Sequence, residues 1–488
     1  MEDFQFSIEQ LASSTQGTLP ILILLLTGLI LMLLDSFKAK VPLDALAAVG
    51  LAVSAGLAWM GPAEQTIVFF GMINIGGIAP LVHVFICLSG IFALFFTRSY
   101  FERADRPIND MYALLIFAVI GMILMANAAD LIITFIGLET MSICLYIFAS
   151  LYKTDVESNE SGLKYFLLGA FASSFLLFGI SLLYGLTGTT NLIEMGTSAN
   201  MMKLDANPEL FYVSGGLILI GFLFKVAAFP FHNWTPDVYQ GTPTPLAGFM
   251  ATGSKLSAFA ALGTIINDMH MMEFGGDDRK FVTLLAISAL FTMIYGNIVA
   301  ARQTNMKRML AYSSIAHSGY VLLGLCAGQA GFAAAMFYMF IYTLMNMGAF
   351  GMVSMVERNL GDTDIDQWRG LGLKAPYFAG AMAVFMFSLA GIPPLAGFMA
   401  KYTVFAAAIG ENMIALAVIG ILTSVIGAYY YIRVIVTMFF NSQGHEPEFN
   451  LSFSPVTVIG VVILAALILI LGIFPSLVLG PIGTSFAG

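Results

Sequence analysis

The chain has 488 residues, of which 59% are hydrophobic and 10% charged, and its mean hydropathy is +0.89. An ordinary soluble domain carries about 25% charged residues, so a soluble globular protein is excluded and an all-α polytopic membrane protein is indicated. The net charge of -9 is scattered over short loops and the N-terminus, which leaves no basic surface for nucleic acid.

Apolar stretches of about 17 to 25 residues can each cross a bilayer as a helix. About fourteen occur, centred near residues 28, 52, 89, 119, 140, 174, 220, 255, 290, 318, 343, 388, 427 and 466. The first is preceded by the acidic residues Glu2, Asp3 and Glu9 rather than by the basic start of a signal peptide, so it is expected to stay as an anchor. Cys87, Cys144 and Cys326 lie on separate spans without metal-ligand spacing, and no disulfide, zinc or iron-sulfur site is expected.

The fifth span, LIITFIGLETMSICLYIFA, carries Glu139, the carboxylate placed deepest in any span. A charge at the bilayer centre costs at least about 2.5 to 3.5 kcal/mol, so such a residue faces a polar interior and marks a path for charge. Glu139 reads either as a partner that tunes a lysine or as part of a structural ion pair or protonated contact. Lys164 stands near one end of the sixth span, equally consistent with snorkelling to the interface and with a polar link from Glu139 towards Lys225.

The seventh span, GFLFKVAAFPFHNW, is interrupted at Pro230, with Lys225 before the break and His232 after it. In the eighth, TPLAGFMATGSKLSAFAALGTII, Lys255 lies about eleven residues from either end, too deep to snorkel easily. The tenth carries His317 on a helix that also offers Tyr312, Ser313 and Ser314. Histidine titrates near physiological pH, but a lone helical histidine serves as often as a hydrogen-bonded structural residue. The twelfth, SLAGIPPLAGFMAK, is interrupted at Pro393 and Pro394, with Lys401 beyond the break.

Proline breaks at membrane depth need protein or a wet cavity to satisfy the freed backbone. Corresponding breaks in two halves of a chain point to a binding site between inverted repeats. An offset of five spans reverses orientation, so two five-helix units are expected. The boundaries are an N-terminal three-helix segment over 1–108, a first repeat over 109–270, a second over 271–442 and a C-terminal helix over 443–488.

Basic residues set the orientation, because cytoplasmic loops hold more Lys and Arg. Loops after odd-numbered spans hold Lys38, Lys40, Arg98, Arg103, Arg106, Lys153, Arg302, Lys307, Arg308, Arg358, Arg369 and Lys374. Loops after even-numbered spans hold Lys203, Arg279 and Lys280. Both termini are therefore expected on the non-cytoplasmic side.

The strings GLETMSICLY, LKYFLLGAFASSFLLFG, FKVAAFPFHNWTPDVYQGTPTP, QTNMKRMLAYSSIAHSGY and SLAGIPPLAGFMAKYTVF occur in an order that resembles the antiporter-like subunits of respiratory complex I, NADH:quinone oxidoreductase. The WTPDVYQGTPTP string, a lysine at 401 and a chain that stops after the fourteenth span most resemble the subunit N branch. The likeness covers residues 110 to 440 and is weak in the first three spans. It implies fourteen helices, with inverted repeats of helices 4 to 8 and 9 to 13 and broken helices 7 and 12.

By motif match it places Glu139, Lys164, Lys225, Lys255 and Lys401 at the family's ionisable positions in helices five, six, seven, eight and twelve. A Glu139 and Lys225 pair would gate a first half-channel, Lys255 would pass the proton along a polar axis, and Lys401 would exchange it; His232 and His317 carry over less firmly. The resemblance implies proton translocation in a bacterial inner membrane, among other membrane-arm subunits and driven by quinone reduction elsewhere. NADH, FMN, iron-sulfur clusters and quinone would sit in partner subunits, since this chain has no Rossmann glycine pattern and no cysteine ligand set, and no cofactor of its own is expected. The competing readings are a subunit of a sodium/proton antiporter and a structural membrane subunit with no proton path.

Overall fold

A computed structural model describes residues 8–101, 109–269, 271, 274, 279–440 and 454–485, with the side chains of 8–16 and 198 left aside. Glu2, Asp3, Arg103 and Arg106 lie outside the described residues, as do 108, 270, 442 and 443 at the expected domain junctions.

The chain forms α1 (Ile8–Ser36) and α2 (Leu43–Trp59), a two-stranded hairpin β1 (Ile67–Val68) and β2 (Ile73–Asn74), then α3 (Ala79–Phe101), α4 (Asp110–Ala126), α5 (Leu131–Ala149) and α6 (Val156–Thr187). Two short helices, α7 (Leu192–Met195) and α8 (Ser198–Ala206), lead into α9 (Pro208–Lys225), α10 (Thr235–Gly241), α11 (Thr244–Asp268), α12 (Lys280–Ala300), α13 (Met306–Leu325) and α14 (Gly328–Leu360). After a 3₁₀ turn at Ile365–Trp368 come α15 (Leu371–Lys374), α16 (Pro376–Ala390), α17 (Ala396–Gly410), α18 (Ile414–Phe440), α19 (Pro455–Ile473) and α20 (Ser476–Ser485).

Ten of these helices are long and apolar enough to cross a membrane among the described residues, and α2, α4, α16 and α17 are shorter apolar helices. Each of the fourteen centres read from the sequence falls within a helix. The hairpin, with Ile67 opposite Asn74 and Val68 opposite Ile73, was not anticipated.

Polar side chains set the helix starts. Asp130, Asp155 and Asn305 accept hydrogen bonds from the backbone N–H groups of Ile132, Glu157, and Lys307 with Arg308 respectively, satisfying donors that the first helical turn leaves free. Gly188, Gly361 and Gly391 close α6, α14 and α16 in the left-handed conformation.

The outer helices are apolar on their exposed sides as well, as Leu26, Phe171, Val425 and Val462 illustrate. That pattern suits lipid or neighbouring protein rather than water. α11 and α14 pack against each other and are buried along most of their length. α13, which carries Ser314, His317 and Ser318, packs on α11, α12, α14 and α17. The polar groups of interest therefore sit at the centre of the bundle.

Candidate functional site

The break after α9 comes first. α9 ends on Lys225 itself, so the lysine terminates its half-helix. Ala227 follows at φ +60°. Four of the backbone groups at the break have a side chain to meet them. Val226 O accepts from Ser318 Oγ (2.6 Å), Phe224 O from Trp234 Nε1 (3.1 Å) and Phe229 O from Ser288 Oγ (2.7 Å), while Phe229 N–H donates to Thr292 Oγ1 (2.8 Å). The break is thus held by α12 and α13 with these hydrogen bonds satisfied.

The second break is held differently. Lys401, on α17, reaches back across it and donates to Ala390 O, the last carbonyl of α16 (2.9 Å), and to Ser424 Oγ on α18 (2.7 Å). A cation at a helix C-terminus is favourably placed against the exposed carbonyls. Gly397 N–H donates to Ser388 Oγ (3.1 Å). A side chain at Gly391, which sits at φ +85°, would meet Lys401 Cδ at 2.9 Å, so the lysine stem lies directly over the break.

The three lysines are buried, with exposures of 3% for Lys225, 1% for Lys255 and 7% for Lys401. Their hydrogen-bond partners are neutral. Lys225 Nζ donates to Ser142 Oγ on α5 (2.9 Å) and Tyr165 OH on α6 (3.2 Å). Lys255 Nζ donates to Ser314 O and Ser318 Oγ, both at 2.9 Å. Ser318 therefore accepts from Lys255 and donates to the backbone carbonyl of Val226, the residue after Lys225, and so ties Lys255 to the first break.

His317 sits in a group of tyrosines. Its Nδ1 is 2.6 Å from Tyr338 OH and its Nε2 is 3.0 Å from Tyr431 OH, which also bonds Ser313 Oγ. Tyr320, three residues on, carries the Lys401 ammonium over its ring at 5.5 Å. Its hydroxyl accepts from Asn297 Nδ2 (2.9 Å) and so reaches Tyr430 through Asn297 Oδ1 (3.2 Å). Ser142, Lys225, Ser318, Lys255, His317, Tyr320 and Lys401 therefore form a row of separate hydrogen-bonded groups in the interior of the bundle.

Other expectations fare differently. Glu139 is half-buried, and among the described residues no ion pair within 4.0 Å joins it to Lys225. One of its carboxylate oxygens is buried without a hydrogen bond. The expected pair is thus not in contact; Glu139 stands one helical turn before Ser142, which holds the lysine. Lys164 also does not link Glu139 to Lys225. It lies at the bundle end, 40% exposed at its side chain, and pairs with Glu160 (2.6 Å) and Asp237 (2.8 Å). Its neighbour Tyr165 makes the lysine contact instead. His232 is buried against Phe229 and Tyr295, and neither ring nitrogen has a hydrogen-bond partner.

Sequence reasoning missed a polar girdle at that same end. Arg308 binds Asp237 (2.9 Å) and Gln240 (2.8 Å), while Lys307, only 4% exposed, donates to Thr242 O (2.9 Å) and stands 3.5 Å from Glu357. Glu357 also accepts from Thr244 Oγ1. α6, α10, α13 and α14 are tied together by these contacts. The signal was present in KRML directly after an Asn cap, but it read as an ordinary basic loop. Among the described residues no group of three or more His, Cys, Asp or Glu is placed to hold a metal ion.

Three comparisons place this arrangement. The family model described as NADH:quinone oxidoreductase/Mrp antiporter, TM, matches residues 128–427, which contain every polar residue of the row. The chain is 42% identical over 419 residues to NADH-quinone oxidoreductase subunit N 1 of Chloroherpeton thalassium, covering 86% of each chain. Its fold is similar to a chain of respiratory complex I from Thermus thermophilus with bound aureothin, with a TM-score of 0.79, 32% identity and coverage of 94% of this chain and 98% of that one. It is similar in fold alone to a chain of the Mrp complex from Dietzia sp. DQ12-45-1b, with a TM-score of 0.85, 20% identity and 97% coverage of both. Identity of this extent settles the branch, and the chain belongs to the antiporter-like membrane subunits of NADH-quinone oxidoreductase, in the subunit N family.

Proposed function

We propose that the chain translocates protons through its buried lysine row, as a membrane-arm subunit of a complex I whose quinone reduction takes place in partner subunits. The observation that carries this reading is the row itself: three buried lysines bonded only to neutral groups, with Ser318 against Lys255 and the His317 tyrosine group between the two breaks. Ionisable residues kept inside a membrane domain, facing a polar interior, mark ion paths.

Glu139 acts on Lys225 through Ser142, one turn along α5, rather than by direct contact. A shift of α5 or α9 then exchanges the lysine's serine contact for the carboxylate, and this gates the first half-channel. Lys255 passes the proton along the axis to His317, and Lys401 exchanges it beyond the second break. Lys164 and His232 flank the first half-channel, one at its polar end and the other at the break.

In this reading the fourteen helices form two inverted five-helix repeats, 109–270 and 271–442, with α9–α10 and α16–α17 as the broken pair. The end bearing Lys164, Lys307 and Arg308 faces the cytoplasm, both termini face away from it, and the membrane is a bacterial inner membrane. NADH, FMN, iron-sulfur clusters and quinone belong to the partner subunits. Each proton moved against 100 mV stores about 2.3 kcal/mol, so the coupling must deliver more than a surface ion pair is worth.

The test is Lys401→Ala in the assembled complex. Proton pumping should fall while assembly is retained, in media with or without sodium. Full pumping would remove the relay, and sodium-dependent activity without quinone would move the chain to the sodium/proton antiporters.

A further inference from the structure

A second polar site lies apart from the lysine row, in the N-terminal helices that the family match over 128–427 barely reaches. A cavity of about 380 Å³ opens at the end of the bundle where α2 finishes and α3 begins, walled by α1, the end of α2 and the hairpin. Its volume falls within the roughly 300 to 1,000 Å³ of small-molecule sites. Ile21, Leu57, Val68 and Ile75 supply an apolar wall, and exposed Trp59, Met60 and Phe70 lie on neighbouring turns. Such aromatic residues favour the membrane interface.

The polar groups in the cavity are short of donors. His83, 3% exposed, shares a hydrogen bond of 2.9 Å between Nε2 and Ser54 Oγ, and Ser54 gives its own proton to Pro20 O at 2.8 Å. A hydroxyl has one proton to donate. The Nε2 atom must then be the donor to Ser54, and Nδ1 of the neutral ring is left as an acceptor. Asn127, 7% exposed, lines the same cavity, while its Oδ1 is closed off from it. A buried acceptor such as His83 Nδ1 is costly unless something supplies a donor. Among the described residues no Asp, Glu, Lys or Arg lines the cavity, so neither a phosphate nor a carboxylate head is matched.

We propose that this cavity binds a neutral amphiphile, its hydroxyl donating to His83 Nδ1 and its apolar body lying along Ile21, Leu57 and Val68. Two membrane sources share that chemistry: a glycerolipid alcohol and an isoprenoid quinol. The site stands apart from the proton row and does not depend on it.

The experiment is photolabelling of the assembled complex in native membranes with a diazirine-bearing dodecanol, in competition with dodecanol or dodecane. Saturable label is expected within 17–21, 57–62 and 73–83, displaced about fivefold better by dodecanol than by dodecane, the effect of one net hydrogen bond. His83→Phe should abolish that preference, and Ile21→Trp, which fills the cavity from α1, should remove the saturable label. Solvent extraction of the purified complex separates the sources, since enrichment of either a quinol or a glycerolipid alcohol over the bulk membrane supports the site. Equal displacement by dodecane, or label spread without saturation over α6 and α18, would overturn it; the competition on the unsubstituted protein decides this even if a variant fails to assemble.

Discussion

Replacing Ser318 with alanine removes one hydroxyl and its contacts with Lys255, Val226 O and Ser314 O. Lys255 loses one of its two hydrogen-bond acceptors, and the Val226 carbonyl at the first break loses its donor. A hydrogen bond to a charged group is worth about 1.5 to 3 kcal/mol, and Lys255 at 1% exposure has no water at hand to replace it. At about 1.4 kcal/mol for each factor of ten, the protonated relay is disfavoured by roughly ten- to a hundredfold. Proton uptake by inverted vesicles, followed by the quench of a ΔpH dye during NADH oxidation, should fall at least about tenfold, with assembly checked on native gels. Ser354→Ala is the matched control, because that buried serine bonds only Gly351 O within its own helix, and pumping there should stay at the level of the unsubstituted protein. Full pumping by an assembled Ser318→Ala complex would show that proton passage at Lys255 does not depend on this hydroxyl.

Further outcomes follow from the packing and the girdle. A Cβ at Gly137 would lie 2.4 Å from Met125 N, and one at Gly121 would lie 2.4 Å from Met141 N, so α4 and α5 touch by their backbones, as small residues allow in membrane bundles. Gly137→Leu should reduce the thermal stability of the complex by more than the roughly 1 to 3 kcal/mol usual for overpacking, seen as loss of assembled subunit. Lys307→Ala should destabilise by about 1 to 3 kcal/mol, because it removes the donor to the buried Thr242 carbonyl and leaves the 19% exposed Glu357 carboxylate with Thr244 Oγ1. Asp237→Asn, by contrast, breaks pairs whose side chains are 29% to 40% exposed, and should shift stability by no more than about 1 kcal/mol. Differential scanning of the purified complexes ranks the two, and a reversed order would contradict the burial argument.

The lysines were legible one by one because a charge stands out in an apolar run, and Pro230, Pro393 and Pro394 marked the breaks because proline cannot continue a helix hydrogen-bond ladder. What surrounds the lysines was not legible. Ser142, Tyr165, Ser318, Tyr338 and Tyr431 are common neutral residues in membrane helices, and their role depends on which helices pack together. Tyr165 was overshadowed by Lys164, which the sequence places beside it but the fold turns to the bundle end. Lys307 was read as a loop charge because burial arises only when α10, α13 and α14 meet. The distance from Glu139 to Lys225 is likewise a matter of how α5 and α9 rotate, on which a motif is silent. The hairpin has two residues per strand, too few for any periodic pattern.

The most direct test of the central claim is proton pumping per electron in vesicles carrying Lys225→Ala, with NADH:quinone activity and assembly measured on the same membranes. A lysine row that carries the coupled protons predicts that an intact complex loses pumping and turnover together; unchanged pumping per electron would contradict it and leave the chain a structural role.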